Sequence, residues 1–278
     1  MVKHYVGGQA LIEGVMMKYK DKIAVAVRDP HNKIIVKKET ISLKETSIPF
    51  LRGIFNLFII FYIGIKSLNY SANVSTGNDE KISIWELIFS FSFAIIFAIL
   101  LFKVVPLGLT YFLSKYYTIS NILFSFIDGI LKVLIFVLYV YVISFMKDVY
   151  RVFQYHGAEH KAVSCHEHHK QLSVFNVQKF DKEHLRCGTS FIFLVLLVSV
   201  LVYAFIPKDY GFVMKLVLRL LLLPLVASLS YELLRLGARF KFFSVFSYPG
   251  LWIQRITTKE PDNQQVEVAI KALNGVLR

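Results

Sequence analysis

The stretch RVFQYHGAEHKAVSC, residues 151–165, sets two histidines, a glutamate, basic residues and a thiol directly after a long apolar run. Within it His156-Gly157-Ala158-Glu159-His160 fits H-x-x-E-H. On a helix His156 and His160 share a face, so two imidazole nitrogens can reach one cation. Glu159 can then reach a water on that cation and act as general base, the reversed form of the zincin arrangement. Further along, His184-Leu-Arg-Cys187 offers an imidazole and a thiol three residues apart. Two such pairs are the ligand grammar of a zinc-type site. Cys165 is a possible fifth ligand. His166, His168 and His169, in CHEHHK, are read as solvated loop residues instead.

Two forms of the site remain open at this level. Four protein ligands (His156, His160, His184 and Cys187) would close a structural centre. Three would leave a coordination position for water and give Glu159 a chemical task. A reading without metal makes the histidines polar anchors at a membrane edge.

Positioning such a group requires elements around it, and composition indicates their kind. Of 278 residues 55% are hydrophobic, with 25 Phe and 15 Tyr, and the mean hydropathy is +0.54. The formal charge is +13, and the basic residues gather between the apolar runs. That distribution reads as membrane topology before nucleic acid. Two cysteines, Cys165 and Cys187, cannot make a disulfide framework. The first residues, MVKHYVGGQALIEGV, lack the apolar core of a removable signal peptide.

Residues 1–48 read as a β-rich module. The β-branched runs 21–28 and 33–41 flank the turn tetrapeptide DPHN, and a further strand is expected in VGGQALIEGVMMK, its glycines marking a bend or a close approach. Residues 49–70 carry Arg52, Asn56 and Lys66 around a short apolar core, so an interfacial or re-entrant helix is expected, with a linker to residue 83. Four membrane spans follow, at 84–113, 119–146, 189–206 and 212–234, paired as hairpins within 84–146 and 189–236. The loop 147–188 carries the His/Cys residues, and the tail 237–278 ends in an amphipathic helix with Val266, Ala269, Ile270, Leu273 and Leu277 on one face. The fold class expected is therefore a polytopic α-helical membrane protein with a small β-rich module.

Lys and Arg counts orient it. Residues 1–83 hold twelve, 147–188 seven and the tail from Arg235 seven, whereas the links 114–118 and 207–211 hold one each. Positive-inside then places both termini and the His/Cys loop in the cytoplasm.

GGQALIEGVMM (7–17), IPFLRG (48–53), RVFQYHGAEHK (151–161), RCGTSF (186–191), YPGLW (248–252) and TTKEPDNQQVEVAI (257–270) together resemble the YqhQ-like family of uncharacterised bacterial membrane proteins. The resemblance spans nearly the whole chain and implies a bacterial cytoplasmic-membrane protein, described for the family as a predicted metal-dependent enzyme. It matches His156, Glu159, His160, Cys165, Glu167, His184, Arg186 and Cys187, and adds Glu13 as a distant carboxylate. The discounted histidines fall outside it.

Several functions compete. One is a membrane hydrolase using zinc or a similar divalent ion on a lipid-linked or membrane-protein substrate, with Glu159 as base. Another is an adaptor whose closed metal site docks a partner. A thiol switch would need an exposed cysteine near positive charge, such as Arg186 provides beside Cys187. Transport would want more polar residues than the spans supply. Asp128 and Lys132, at i,i+4, are expected to pair, while Arg219 is a candidate for an anionic headgroup or for pairing with Asp128 or Glu232.

Overall fold

The computed structural model describes residues 6–41, 46, 48–77, 83–184, 187–207, 209–240, 245 and 248–277. Period-two alternation in the N-terminal segment builds four antiparallel strands, β1 (Gly7–Leu11), β2 (Gly14–Tyr19), β3 (Lys22–Arg28) and β4 (Ile34–Thr40), in that spatial order. The β3–β4 hairpin expected around DPHN is present, its turn held by Asp29, whose carboxylate accepts from the His31 and Lys33 amides. The segment read as one further strand is instead the hairpin β1–β2. Its reversal falls at Glu13, which takes φ 51° while its carbonyl accepts from the Arg28 amide at 2.8 Å.

Alternation gives the central strands two apolar faces. Val15, Met17, Ala24 and Ala26 pack against α5 (Lys147–Glu167) and α11 (Asn263–Leu277). Met16, Ile23, Val25 and Val27 face the other way, onto Ile63 and Val74 of α1 (Leu51–Thr76). Each large side chain so removed from water stabilises the fold by about 1.5–3 kcal/mol. The tail helix thus covers the N-terminal sheet with Val266, Ala269 and Leu273. It starts at a reciprocal cap: Asp262 accepts from the Gln265 amide and Gln265 from the Asp262 amide.

Among the described residues three helices are, by length and composition, long and apolar enough to cross a membrane: Leu51–Thr76, Ile88–Tyr116 and Asn121–Ile143. A fourth is counted if Phe212–Leu221 and Leu223–Gly237, bent by 46°, form one span. Where an interfacial or re-entrant helix is expected at 49–70, α1 is a continuous helix of 26 residues that packs on the sheet through Ile63 and Val74. Its polar interruptions are absorbed by partners: Arg52 binds Glu232, Asn56 Nδ2 donates to the Tyr231 hydroxyl at 3.0 Å, and Lys66 reaches Glu39 at 2.6 Å. The span expected at 84–113 is α2 (Ile84–Ile99) and α3 (Val105–Tyr116), joined without a break by a π turn at Leu100–Val104. Next comes α4 (Asn121–Ile143). After the short α6 (Val174–Gln178), α7 (Gly188–Tyr203) is apolar but only 16 residues long, shorter than the span expected there. The bend between α8 (Phe212–Leu221) and α9 (Leu223–Arg239) lies beside Pro224, which cannot donate the backbone bond a straight helix needs.

Candidate metal centre

Helix α5 carries two functions on adjacent stripes. Tyr155, Ala158, Ala162 and Cys165 point into the core under the sheet, which fixes the helix rotation. The neighbouring stripe then presents His156 and His160 together, ring centroids 4.4 Å apart. Each imidazole is anchored through Nδ1, by His156 to the Thr257 carbonyl at 2.8 Å and by His160 to the Lys182 carbonyl at 2.5 Å. A carbonyl can only accept, so both rings carry the proton on Nδ1 and keep the Nε2 lone pair for another partner.

That partner direction is shared with Cys187. The residue caps α7, its sulfur accepting from the Thr189 amide at 3.4 Å, and Sγ stands 3.2 Å from His156 Nε2. One ligand atom from each of His156, His160 and Cys187 lies within 4.8 Å of the other two. Bonds of about 2.0–2.3 Å from one ion would span such a group with small adjustments. Two imidazoles and a thiol, pre-oriented by backbone carbonyls and a helix terminus, therefore form a donor set that fits a divalent ion of the zinc type.

Glu159 lines the same group. Its Oε2 is 3.5 Å from His160 Nε2, and the side chain is almost wholly buried. Burial pushes the carboxyl above its ordinary range, with His156 and His184 pulling the other way. Burial likewise lowers the His160 pKa, keeping the imidazole neutral as a ligand must be. The opposite wall is Gly8 of β1, where a Cβ would overlap the Glu159 carboxylate. Of the glycines expected to mark a bend or a close approach, Gly8 thus meets α5 at this carboxylate.

The remaining sequence candidates lie elsewhere. His184 borders the group, its ring centroid 5.7 Å from that of His160, but its Nε2 faces Glu167 Oε2 at 3.4 Å. Its backbone is clamped by Gln254 of α10 (Tyr248–Thr257), which accepts from the His184 amide and donates to its carbonyl. Glu13 binds Arg151 and accepts from the Tyr155 hydroxyl at 3.0 Å, holding β1–β2 to α5 rather than joining the ligand atoms. Cys165 is buried in the core, where desolvation raises its pKa and its nearest acceptor is the Gln171 carbonyl at 3.7 Å. Arg186 lies outside the described residues. Neither cysteine is exposed as a thiol switch requires. His168 and His169 are exposed at the end of α5, and His166 is half-buried there.

The carbonyl anchors are what residue types cannot announce. Thr257 and Lys182 contribute backbone oxygens, and the tail is pinned to α5 where Lys259 N donates to Phe153 O at 2.9 Å. Gly157 permits that crossing, since a Cβ there would strike the Lys259 carbonyl. Its place inside H-x-x-E-H was the one available signal.

Comparison with known proteins agrees with this extent of resemblance. A family model described as "Protein of unknown function (DUF1385)" matches residues 48–278. "Uncharacterized protein YqhQ" of Bacillus subtilis (strain 168) is 34% identical over 304 aligned residues, covering 100% of this chain and 95% of the relative. No solved structure matches. Full-length identity and the family match together establish that the chain belongs to the DUF1385 family, that of the YqhQ-like proteins.

Proposed function

We propose that the chain is an integral-membrane, metal-dependent hydrolase whose site is built from His156, His160, Cys187 and Glu159. The carrying observation is the convergence of three ligand atoms within 4.8 Å beside a buried carboxylate, with His184 engaged by Glu167. His156, His160 and Cys187 would hold a divalent ion, zinc by the chemistry of its donors. Such an ion supplies Lewis acidity, which activates water and polarises the bond to be cleaved. The Thr257 and Lys182 carbonyls keep both imidazoles in the ligand tautomer. Glu159 takes the proton of the attacking water and returns it to the leaving group of an amide, ester or phosphoester. Gly8 keeps the Glu159 carboxylate from swinging away.

The adaptor reading needs His184 as a fourth ligand, and the 3.4 Å approach of its Nε2 to Glu167 favours the three-ligand form instead. Basic residues concentrated in the N-terminal module, the 147–188 loop and the tail support a site on the cytoplasmic face, with both termini on that side. A site beside apolar helices suits lipid-linked or membrane-protein substrates, with the bilayer as the protein's other partner.

Metal analysis of the purified chain, with turnover measured on a panel of chromogenic esters, phosphoesters and peptides, tests the reading. About one zinc per chain is expected, and Glu159→Gln should retain it while losing on the order of 10²–10⁴ in rate. A metal-free protein, or full turnover by Glu159→Gln, overturns the mechanism.

A further inference from the structure

The apolar bundle encloses a second polar group, unrelated to the His/Cys site. Asp128 and Lys132, one turn apart on α4, are each 1% exposed, and Arg219 of α8 is 2% exposed. Asp128 is divided between the two cations: Oδ2 accepts from Lys132, and Oδ1 pairs with Arg219 Nη1 at 2.7 Å. Arg219 Nε, fully buried, has no hydrogen-bond acceptor. Lys103, in the π turn, donates to the Tyr203 hydroxyl at 3.3 Å. Lys215 is buried with its ammonium 4.2 Å from the Phe124 ring centroid, and Asp209 attracts it only from a distance. Among the described residues neither Lys103 nor Lys215 forms an ion pair.

The cations are close together. Lys103, Lys132 and Arg219 stand 5.2, 4.8 and 5.2 Å from the centroid of the single Tyr203 ring. Lys103, Lys132 and Arg219 around the one Asp128 carboxylate leave a formal excess of two positive charges in the apolar bundle, and Lys215 adds a further cation at the Phe124 ring that Arg219 also faces. Buried charge without a counterion is costly, and intramembrane ionisable groups are rare for that reason. Aromatic faces offset part of the deficit but accept no hydrogen bonds of normal strength. The buried Arg219 Nε–H has no acceptor, so one donor of the guanidinium is left for an oxygen of an anion. A carboxylate brings one negative charge; a phosphomonoester or diphosphate brings two or more, closer to the excess.

The least buried of the four cations is Lys103, in the π turn, a helix irregularity common at functional sites. Lys103 is only half-buried there, and neighbouring Leu100 is 50% exposed on the lateral face of the bundle. The group sits about three helical turns, ~16 Å, along α4 from the end that leads into α5, which separates it from His156 and Cys187.

We propose that Lys103, Lys132, Lys215 and Arg219 form a binding site for a phosphate group, entered sideways at the π turn. The lateral entrance favours a phosphate carried by an anionic lipid; a soluble phosphate is the other source of the same chemistry.

The test uses the purified full chain in non-ionic detergent. Dioleoyl phosphatidate, dioleoyl phosphatidylcholine, inorganic phosphate and pyrophosphate are titrated separately, with binding followed by native mass spectrometry and by the melting midpoint. Saturable binding of phosphatidate, about one per chain, is expected, and Arg219→Gln should weaken it about tenfold or more. Lys103→Gln and Lys215→Gln, which break no ion pair, should each weaken it about fivefold and guard against misfolding of the Arg219 variant. Competition by phosphate or pyrophosphate at similar concentration assigns the site to a soluble anion, and its absence assigns it to lipid. If no phosphate-bearing ligand binds better than phosphatidylcholine, or if Lys103→Gln and Lys215→Gln bind as the parent does, the proposal is wrong.

Discussion

Gly8 of the first strand lies so close to Glu159 of α5 that a Cβ at position 8 would overlap the carboxylate. Gly7, its neighbour, has nothing within 4 Å of the equivalent point. The N-terminal hairpin therefore does more than cover the core: its backbone forms a wall of the candidate site. Gly8→Ala should shift Glu159 and cost about 1–3 kcal/mol by overpacking. Gly7→Ala, which meets no neighbour, should leave the melting midpoint close to that of the parent. Equal melting curves and equal turnover for the two variants would mean that the wall has no mechanical role.

The donor set separates three residues from a fourth. His156→Ala and Cys187→Ala each remove a ligand atom from the group within 4.8 Å, so bound zinc should fall well below stoichiometry. His184→Ala removes a partner of Glu167 and should leave metal content near that of the parent, with a smaller change in stability. Metal measured by mass spectrometry after gel filtration distinguishes them. Loss of zinc in His184→Ala as complete as in Cys187→Ala would favour the closed, adaptor-type centre.

Glu13 tests the difference between a structural and a chemical carboxylate. Its partners are Arg151, half-exposed, and the hydroxyl of Tyr155, a side chain with no exposure. Removing the acceptor in Glu13→Ala strands that hydroxyl, at a cost of about 1–3 kcal/mol. Thermal melting should report the loss, while zinc stoichiometry stays unchanged. A drop in zinc without a drop in stability would put Glu13 in the metal site after all.

The parts legible in the sequence were those governed by local period. The hairpin at DPHN, the apolar face of α11 and the i,i+4 pairing of Asp128 with Lys132 all follow from spacing within one element. Non-local compensation was the hidden part. Arg52, Asn56 and Lys66 interrupt the apolar run of 49–70, and the Glu232, Tyr231 and Glu39 that absorb them come from distant segments. At the candidate site, H-x-x-E-H and Cys187 were visible as residue types, whereas the Thr257 and Lys182 carbonyls that orient the imidazoles were not. His184 shows the converse: a ligand by spacing, held by backbone and carboxylate contacts beside the group instead.

Cys165 gives a pH dependence with a definite sign. Burial raises its pKa in the folded chain, so folding binds the thiol proton more tightly than the unfolded chain does. The stability this contributes is fully present below the ordinary thiol pKa of about 8.5 and declines as pH rises through and beyond it. Melting midpoints measured at pH 7 and pH 10 should therefore differ more for the parent than for Cys165→Ala. Iodoacetamide should label Cys165 slowly at neutral pH in the folded protein and readily after denaturation, since the thiol lies inside the core between α5 and the sheet. Rapid labelling of the native protein at pH 7 would place this sulfur at the surface and reopen it as a ligand or redox group.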